Sequence, residues 1–239
     1  MNVPILALNL GTGDFVGFTF FIGSMAMLAA TVFFFIERDS VEKEWKLSLT
    51  VSGLITGIAA VHYYYMRSAW LETGLSPTEF RYIDWILTVP LMCVEFYLLT
   101  GAGLKKLVSL SFVMLLTGYF GEAGLLSVFG NHSPALWGAI SGAAYVIIVL
   151  EVLQGEVGQA AKKAGGKIEN ANKLLLYFII IGWGIYPIGY LIGTADGQWY
   201  QFLNNLVSDS GRDLIYNIGD AINKIGFGLV VWSVARSDK

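Results

Sequence analysis

The chain has 239 residues, of which 55% are hydrophobic and 14% are charged, and its formal net charge is −3. Soluble domains carry about 25% charged residues, so this composition excludes an ordinary water-soluble fold. The sequence contains no glycine-rich phosphate loop, no His and Cys at the spacing of metal ligands and no basic nucleic-acid face. It therefore predicts neither a metal site nor a nucleic-acid partner.

Seven apolar segments are long enough to cross a bilayer, because a spanning helix needs about 20 residues. They lack the alternation of barrel strands, and backbone groups in lipid must be satisfied within the segment, so each segment predicts a helix. The fold class is therefore an all-α membrane protein, a seven-transmembrane-helix bundle that forms one domain over residues 1–239. The predicted helices cover residues 14–37, 46–67, 80–101, 106–127, 134–155, 172–194 and 212–235.

Positive charges are distributed unevenly between the two ends of these helices. Eleven of the fifteen Lys and Arg residues fall on the side that holds the 37–46, 100–106 and 154–173 loops and the C-terminus. The positive-inside rule places that side in the cytoplasm and the N-terminus outside. The first residues have no basic region before an apolar stretch, so they do not predict a signal peptide. The 154–173 segment is expected to be a solvated cytoplasmic loop.

Two carboxylates lie within the third predicted helix, "RYIDWILTVPLMCVEFYLL". An ionisable side chain at membrane depth costs at least about 2.5–3.5 kcal/mol and indicates function. Asp84 and Glu95 are eleven residues apart, which corresponds to about 16 Å and three helical turns, so both lie on nearly the same face. The predicted topology puts Asp84 in the outer half of the membrane and Glu95 in the inner half.

The last predicted helix, "YNIGDAINKIGFGLVVW", carries an ammonium group in an apolar run. Lys224 lies near its middle, and Asp220 lies one turn nearer the outside on the same face. On the second helix, His62 is expected at about the depth of Asp84. Taken alone, the lysine and its aspartate could be a static ion pair, and the histidine could be a hydrogen-bonded core residue.

Charge balance separates the roles of these groups. Arg81 and a cationic Lys224 supply two positive charges in the outer half, which balance the two aspartates there. Glu95 has no cation nearby in sequence or depth, and desolvation favours its protonated form. The outer half thus contains a carboxylate that can accept a proton, and the inner half contains a protonated acid that can donate one. Glu95 taken alone could also line a water pocket without relaying protons.

A buried lysine amine readily forms a Schiff base with a carbonyl compound. The sixth predicted helix reads "GWGIYPIGY" and places four residues on one stripe, while Trp85 follows Asp84 on the third helix. Such a stripe is usually core packing. Beside an intramembrane lysine, it could also clamp a long, flat, apolar ligand. The stripe consists of Trp183, Tyr186, Pro187 and Tyr190.

These segments resemble the microbial (type 1) rhodopsins, and among them the proteorhodopsins, over nearly the whole chain. The resemblance implies that Lys224 binds all-trans retinal as a protonated Schiff base. It implies that Asp84 is the counter-ion and proton acceptor, Asp220 the second counter-ion and Glu95 the cytoplasmic proton donor. The segments are "DFVGFTFF", "TVFFFIERD", "SLTVSGLITGIAAVHYYYMR", "RYIDWILTVP", "GEAG", "GWGIYPIGY" and "YNIGDAINKI".

The same resemblance implies further roles around the cofactor. His62 corresponds to the histidine that tunes the acceptor, and Arg81 to the arginine of the counter-ion network. Met92 holds the spectral-tuning position, where an apolar side chain indicates green absorption. The implied retinal pocket consists of Trp85, Thr88, Met92, Trp183, Tyr186, Pro187, Tyr190 and Tyr216.

Three positions of the third helix sort the transported ion in this family. Asp84, Thr88 and Glu95 resemble the set of an outward proton pump, whereas sodium pumps carry Asn, Asp and Gln and chloride pumps a neutral acceptor. Phe21 stands where the family has the tryptophan that meets the histidine across the protomer boundary. Gly138 is a candidate for a lateral gap that admits an antenna carotenoid.

The function expected from the resemblance is a light-driven ion transporter and not an enzyme. Its expected place is the bacterial inner membrane, in the lipid bilayer, as a homo-oligomer of five or six copies without an obligate protein partner. A photosensory rhodopsin that signals to a partner is one alternative, although a proton donor such as Glu95 is of little use to it. A retinal-free transporter gated by Lys224 and Asp220 is the other.

Overall fold

Long helices dominate the computed structural model, which describes residues 13–125, 127–128, 131–194 and 207–237. The helices α1 to α9 are, in chain order, Phe15–Glu37, Lys46–Thr73, Thr78–Thr100, Leu104–Glu122, Pro134–Gln154, Glu156–Ala164, Gly166–Tyr177, Ile185–Gly193 and Asp209–Ser237. Short 3-10 turns at Arg38–Ser40 and Lys43–Trp45 connect α1 to α2. Two-residue strands, β1 (Ser127–Val128) and β2 (Asn131–His132), pair antiparallel between α4 and α5.

These helices make seven spans that are long and apolar enough to cross a membrane. The fifth span joins α5 to α6 as Pro134–Ala164, and the sixth joins α7 to α8 as Gly166–Gly193 through a π-helical segment at Phe178–Trp183. Large apolar side chains such as Ile22 and Ile181 are exposed on the outside of the bundle, as a lipid environment requires. The predicted seven-helix membrane bundle is confirmed.

Several predicted boundaries differ from the structure by two residues or more. The fourth helix ends at Glu122 instead of near residue 127, because Gly124 adopts a left-handed φ of 69° and the chain then enters β1. The second helix continues to Thr73 and ends at Gly74, which also has a positive φ. The last turns of this helix carry polar side chains, so the apolar segment that predicts it ends earlier, at residue 67. The last helix begins at Asp209 instead of residue 212.

The segment at 154–173 was expected to be a solvated loop; it is exposed in part, but the expectation of a loop is wrong. It forms α6 and the start of α7. Val157 and Ala161 lie one turn apart on α6 and are buried, whereas Lys162 and Lys163 are exposed. The short apolar stripe and the charged face therefore make an amphipathic helix that caps the bundle.

The interior of the bundle is built around α3, the sixth span and α9. A large core cluster includes Trp85, Phe96, Trp183 and Phe227, all of them buried. A smaller cluster of Phe20, Met27, Tyr63 and Met66, together with three smaller residues, packs α1 against α2. Because the ionisable residues of α3 and α9 face into this interior, the fold brings them together away from lipid.

Candidate functional site

Lys224 meets two carboxylates at the crossing of α3 and α9. Its Nζ donates to Asp84 Oδ2 at 2.7 Å and to Asp220 Oδ2 at 2.5 Å. All three side chains are at most 4% exposed. An isolated charge at such a place is unfavourable, so the buried cluster depends on these pairings. The sequence predicted both partners of the lysine, and the structure places all three together.

The second oxygens of the two aspartates have different surroundings. Asp220 Oδ1 accepts a hydrogen bond from the Tyr186 hydroxyl at 2.8 Å. Asp84 Oδ1 is buried and has no hydrogen-bond partner among the residues that the structure describes. The lone pairs of that oxygen are therefore available to accept a proton, whereas those of Asp220 are partly engaged.

His62 lies beside Asp84, at the depth predicted for it. Its Nδ1 is 3.8 Å from Asp84 Oδ1, which is too far for a hydrogen bond. The same Nδ1 lies 2.9 Å from the carbonyl oxygen of Ile58. A carbonyl can only accept, so Nδ1 carries a hydrogen and donates it to the backbone. The contact between the two side chains is therefore electrostatic.

Arg81, which the charge balance had counted against Asp84 and Asp220, forms its ion pair with another carboxylate. Its Nη2 donates to Asp213 Oδ1 at 2.9 Å and to Asn217 Oδ1 at 2.8 Å. Its guanidinium carbon also lies over the rings of Phe20 and Tyr216, at 5.2 and 5.4 Å from their centroids. The positive charge of Arg81 is thus neutralised by Asp213, which lies two helical turns before Asp220 on α9.

Asp213 was not singled out from the sequence. It is fully buried, and its Oδ1 also accepts from the Ser76 hydroxyl at 2.7 Å. The missed signal was its spacing: Asp213 precedes Asp220 by seven residues, which is two helical turns on the same face. Because it lies near the end of an apolar span, its charge did not stand out against the flanking polar residues.

Glu95 is isolated from the lysine cluster and lies toward the C-terminal end of α3. The Ser52 hydroxyl on α2 donates to its Oε1 at 3.1 Å, and Ser48, one turn away on α2, also lies at the carboxyl group. The other oxygen, Oε2, is buried without a hydrogen-bond partner in the described part of the chain. Burial without a cation at the carboxyl group in the described part of the chain favours the protonated acid, whereas the serine hydroxyls mainly orient it.

A cavity of about 320 Å³ opens beside Lys224 and extends between α3, α4, α5 and the sixth span. Its lining is largely apolar and aromatic, with Asp220 and Lys224 at one end. Seven of the eight predicted pocket residues line it, namely Trp85, Met92, Trp183, Tyr186, Pro187, Tyr190 and Tyr216. The eighth, Thr88, is not among the lining residues; it is buried, and its hydroxyl donates to the Asp84 carbonyl at 2.8 Å.

Aromatic rings in this wall pack against one another, edge to face for Trp85 and Tyr186 and tilted for Tyr186 and Tyr216. The ring centroids of Trp85 and Tyr186 are 4.8 Å apart, and those of Tyr186 and Tyr216 are 5.3 Å apart. Gly138 on α5 also lines the cavity, and the ring of Tyr190 packs directly on its backbone. The Tyr190 hydroxyl donates to the Pro134 carbonyl at 2.6 Å. The ring positions are therefore set by several elements together.

Among the polar lining residues that were not predicted as part of the site are Glu122 and Asn223. Glu122 on α4 accepts a hydrogen bond from the Tyr82 hydroxyl at 2.9 Å. The Asn223 side chain occupies the space that a side chain at Gly182 would need, and its Nδ2 has no hydrogen-bond partner among the described residues. Both residues face a cavity whose existence only the tertiary packing reveals.

The site combines a single primary amine with a long aromatic slot. A flat, apolar molecule that ends in a carbonyl fits this arrangement, because its carbonyl group can condense with the Nζ amine, with loss of water, while the rest lies between rings. The two carboxylates at Nζ stabilise a positive charge on that nitrogen. The same carboxylates lie at hydrogen-bond distance from Nζ, so a proton can pass directly between that nitrogen and either of them.

Comparison with known proteins agrees with this geometry. The family model of bacteriorhodopsin-like proteins matches residues 14–237. The green-light absorbing proteorhodopsin of Gamma-proteobacterium EBAC31A08 is 47% identical over 234 residues, covering 95% of this chain and 89% of that protein. The blue-light absorbing proteorhodopsin of Gamma-proteobacterium Hot 75m4 is also 47% identical over 234 residues, covering 95% and 88%.

Solved structures give the same result. The crystal structure of a blue light-absorbing proteorhodopsin from Med12 matches with a TM-score of 0.76 and 41% identity, covering 94% of this chain and 99% of that one. The bacterial relatives and the seven spans identify a multi-pass protein of the bacterial inner membrane. The chain belongs to the bacteriorhodopsin-like proteins and is, within them, proteorhodopsin-like.

Proposed function

We propose that this chain is a light-driven pump that moves protons outward across the inner membrane and carries all-trans retinal on Lys224. The observation that carries the proposal is the Lys224 amine, held between two carboxylates at the end of an aromatic cavity. Bound to Nζ, retinal supplies absorption of visible light and an isomerisation that changes the direction and proton affinity of that nitrogen. The residues of the chain then determine where the proton goes.

Asp84 is the proton acceptor in this proposal. Its Oδ2 lies 2.7 Å from Nζ, within reach of a direct transfer. Asp220 is equally near, but the Tyr186 hydroxyl stabilises its charged form through Oδ1. A carboxylate with fewer hydrogen-bond donors has the higher proton affinity. Asp84, whose Oδ1 has no such donor among the described residues, is therefore the better base.

Glu95 is the donor that returns a proton to Nζ from the opposite side. It lies three turns farther along α3 than Asp84, and its burial, with no cation at the carboxyl group among the described residues, favours a neutral, protonated acid. Acceptor and donor thus stand on the two sides of one nitrogen. With the N-terminus outside, as the distribution of cations predicts, this order gives outward transport.

The energetic demand on one turnover is modest. Moving one elementary charge outward requires about 2.3 kcal/mol for each 100 mV of membrane potential. A visible photon supplies far more than this. The pump therefore depends on the order in which Asp84 and Glu95 exchange protons with Nζ, and not on the energy available.

The proposal is tested by illuminating retinal-fed cells that express the chain in unbuffered saline. Reversible acidification of the medium is expected, and a protonophore should abolish it. Lys224→Ala should give colourless, inactive protein, whereas Lys162→Ala, which removes an exposed lysine of α6, should pump normally. A pigment that cycles over seconds without moving protons would support a photosensor instead. Protein that stays colourless with retinal would support a retinal-free transporter.

Green absorption is proposed from Met92 alone, because the green and the blue relatives are equally similar to this chain. Met92 is buried and lines the cavity. An apolar side chain there leaves the charge on Nζ free to spread along the polyene, which lowers the excitation energy. Assembly into rings of five or six copies stays a prediction from the family resemblance.

A further inference from the structure

Asp213 and Arg81 form a buried ion pair on the outer side of the lysine cluster. Both side chains are at most 3% exposed. Arg81 lies three residues before Asp84 on α3, so its guanidinium group is about one turn from the acceptor on the same helix face. A positive charge at that distance would by itself favour the ionised form of Asp84.

The charge balance of the site changes once Asp213 is included. Lys224 supplies one positive charge to two carboxylates, and the charge of Arg81 is matched by Asp213 instead of reaching them unopposed. The cluster around Nζ therefore has one negative charge in excess. Such an excess favours protonation of the carboxylate with the fewest hydrogen-bond donors, which is Asp84.

The surroundings of Arg81 hold it in this outer position. Its Nη2 donates to Asn217 as well as to Asp213, and the rings of Phe20 and Tyr216 lie against the guanidinium. Asn217 is fixed in turn, because its Nδ2 donates to the Thr19 hydroxyl at 3.0 Å. Asp213 is the only full negative charge among these contacts of the arginine.

We propose that Asp213 is a positioning residue that keeps the charge of Arg81 on the outer side of the site and thereby raises the proton affinity of Asp84. The inference rests on the proposed function, in which Asp84 is the acceptor. Asp213 does not bind Nζ and is not among the residues that line the cavity, and it acts through the arginine. It adjusts the acceptor so that a proton leaving Nζ is retained long enough to pass outward.

Other polar and charged groups lie near Asp213, and their effects must be distinguished from its own. Ser76 comes from the turn before α3, and Arg212 and Tyr216 lie on α9 itself. Glu122 approaches from α4 and lies within electrostatic range of Arg81, Arg212 and Asp213. The same titration is therefore carried out on a Glu122→Gln variant. A midpoint that persists in this variant does not come from protonation of Glu122.

The test is a pH titration of the absorption band of the purified, retinal-loaded protein. The band shifts when Asp84 is protonated, so the midpoint of the shift reports its proton affinity. In Asp213→Asn, the charge of Arg81 is unopposed, and the midpoint should fall by about one pH unit, at the low end of the effect of a neighbouring opposite charge. Asp213→Glu should restore the wild-type midpoint.

Two controls show whether the effect runs through the arginine. Asp14→Asn removes a carboxylate that caps α1 and binds Trp70, and it should leave the midpoint unchanged. In an Arg81→Gln background, the additional change Asp213→Asn should shift the midpoint by less than half as much as it does alone. An equal shift in both backgrounds would show direct repulsion and overturn the positioning role.

Asp213→Asn leaves a buried arginine unpaired and could fail to fold, so a second variant tests the same inference. Asn217→Asp adds a carboxylate at Nη2 and should move the midpoint in the opposite direction, to higher pH. The inference is overturned if the midpoint stays the same or falls in Asn217→Asp. It is also overturned if the midpoint stays the same or rises in Asp213→Asn. In both cases the proposed function stands. A wild-type protein that forms no pigment overturns the proposed function instead, and this inference with it.

Discussion

The Ser52 hydroxyl on α2 donates to Glu95 Oε1 on α3 at 3.1 Å, which ties the proposed proton donor to a neutral group on a neighbouring helix. Glu95 is buried, and its second oxygen has no hydrogen-bond partner within the described ranges. A hydroxyl can donate to either charge state of the carboxyl group, but it supplies no charge of its own. The contact therefore orients the acid without forcing it to ionise.

Glu95→Gln should separate reprotonation from the other steps of the cycle. The amide keeps the shape of the side chain but cannot supply a proton, so the first transfer to Asp84 should be unchanged. Recovery of the ground state should slow by about 100-fold or more, which is the contribution expected of a positioned general acid. Flash photolysis measures both steps. Unchanged recovery would exclude Glu95 as donor, and Glu156→Gln on α6 serves as the control.

Asp84→Asn should keep the pigment and abolish pumping. Removing the anion at Nζ lets the positive charge spread along the polyene, so the absorption band should move to longer wavelength. Acid should cause the same two changes in the wild type. The acceptor works only when it is ionised, so pumping is present above its titration and lost as the pH falls through it. Asp39→Asn, at an exposed carboxylate, should change neither property.

A colour and a pumping rate that stay constant across the acid range would contradict this assignment of the acceptor. Asp220→Asn gives a further comparison. If Asp220 were the acceptor, that variant and not Asp84→Asn would lose the first proton transfer. The hydrogen bond from Tyr186 to Asp220 makes this the less favoured outcome.

The colour of the pigment should depend on the polarity of residue 92. Met92→Gln places an amide dipole against the cavity, which stabilises the ground-state charge near Nζ and should shift the absorption to shorter wavelength. Met92→Leu keeps an apolar wall and should leave the band almost unchanged. Absorption spectra of the three proteins decide between the two outcomes. A band that does not move in Met92→Gln would show that this side chain does not tune the colour.

The sequence predicts most of this architecture because the bilayer imposes length and apolarity on every span. Asp84, Glu95 and Lys224 were identifiable for the same reason, since a charge in the middle of an apolar run is unfavourable unless it has a function. Asp213 and Glu122 lie near span ends, where charges are ordinary. Their burial depends on neighbouring helices, which composition and spacing do not reveal.

The partner of Arg81 could not be assigned for a related reason. Charge balance by depth placed it with the aspartates at Lys224, because those were the carboxylates already identified in the outer half. The guanidinium group can reach in several directions, and only packing against Phe20 and Tyr216 fixes it toward Asp213. Spacing along a helix gives the face of a side chain, whereas its partner is set by other elements.

Gly138 and Gly142 form a matched pair that distinguishes close packing from an open lateral gap. Both line the cavity on α5, one turn apart. A Cβ at Gly138 would lie 2.5 Å from Cε1 of Tyr190, whereas a Cβ at Gly142 would meet nothing within 4 Å. Gly138→Ala should therefore lose about 1–3 kcal/mol of stability through overpacking, and Gly142→Ala should be neutral.

Thermal bleaching of the two pigments measures this difference. Equal stability would show that residue 138 faces open space, which is the geometry expected of a gap that admits a carotenoid. A lower bleaching temperature in Gly138→Ala alone would show that the glycine accommodates the Tyr190 ring. Because that ring also lines the cavity, Gly138→Ala should then move the absorption band as well, and Gly142→Ala should not.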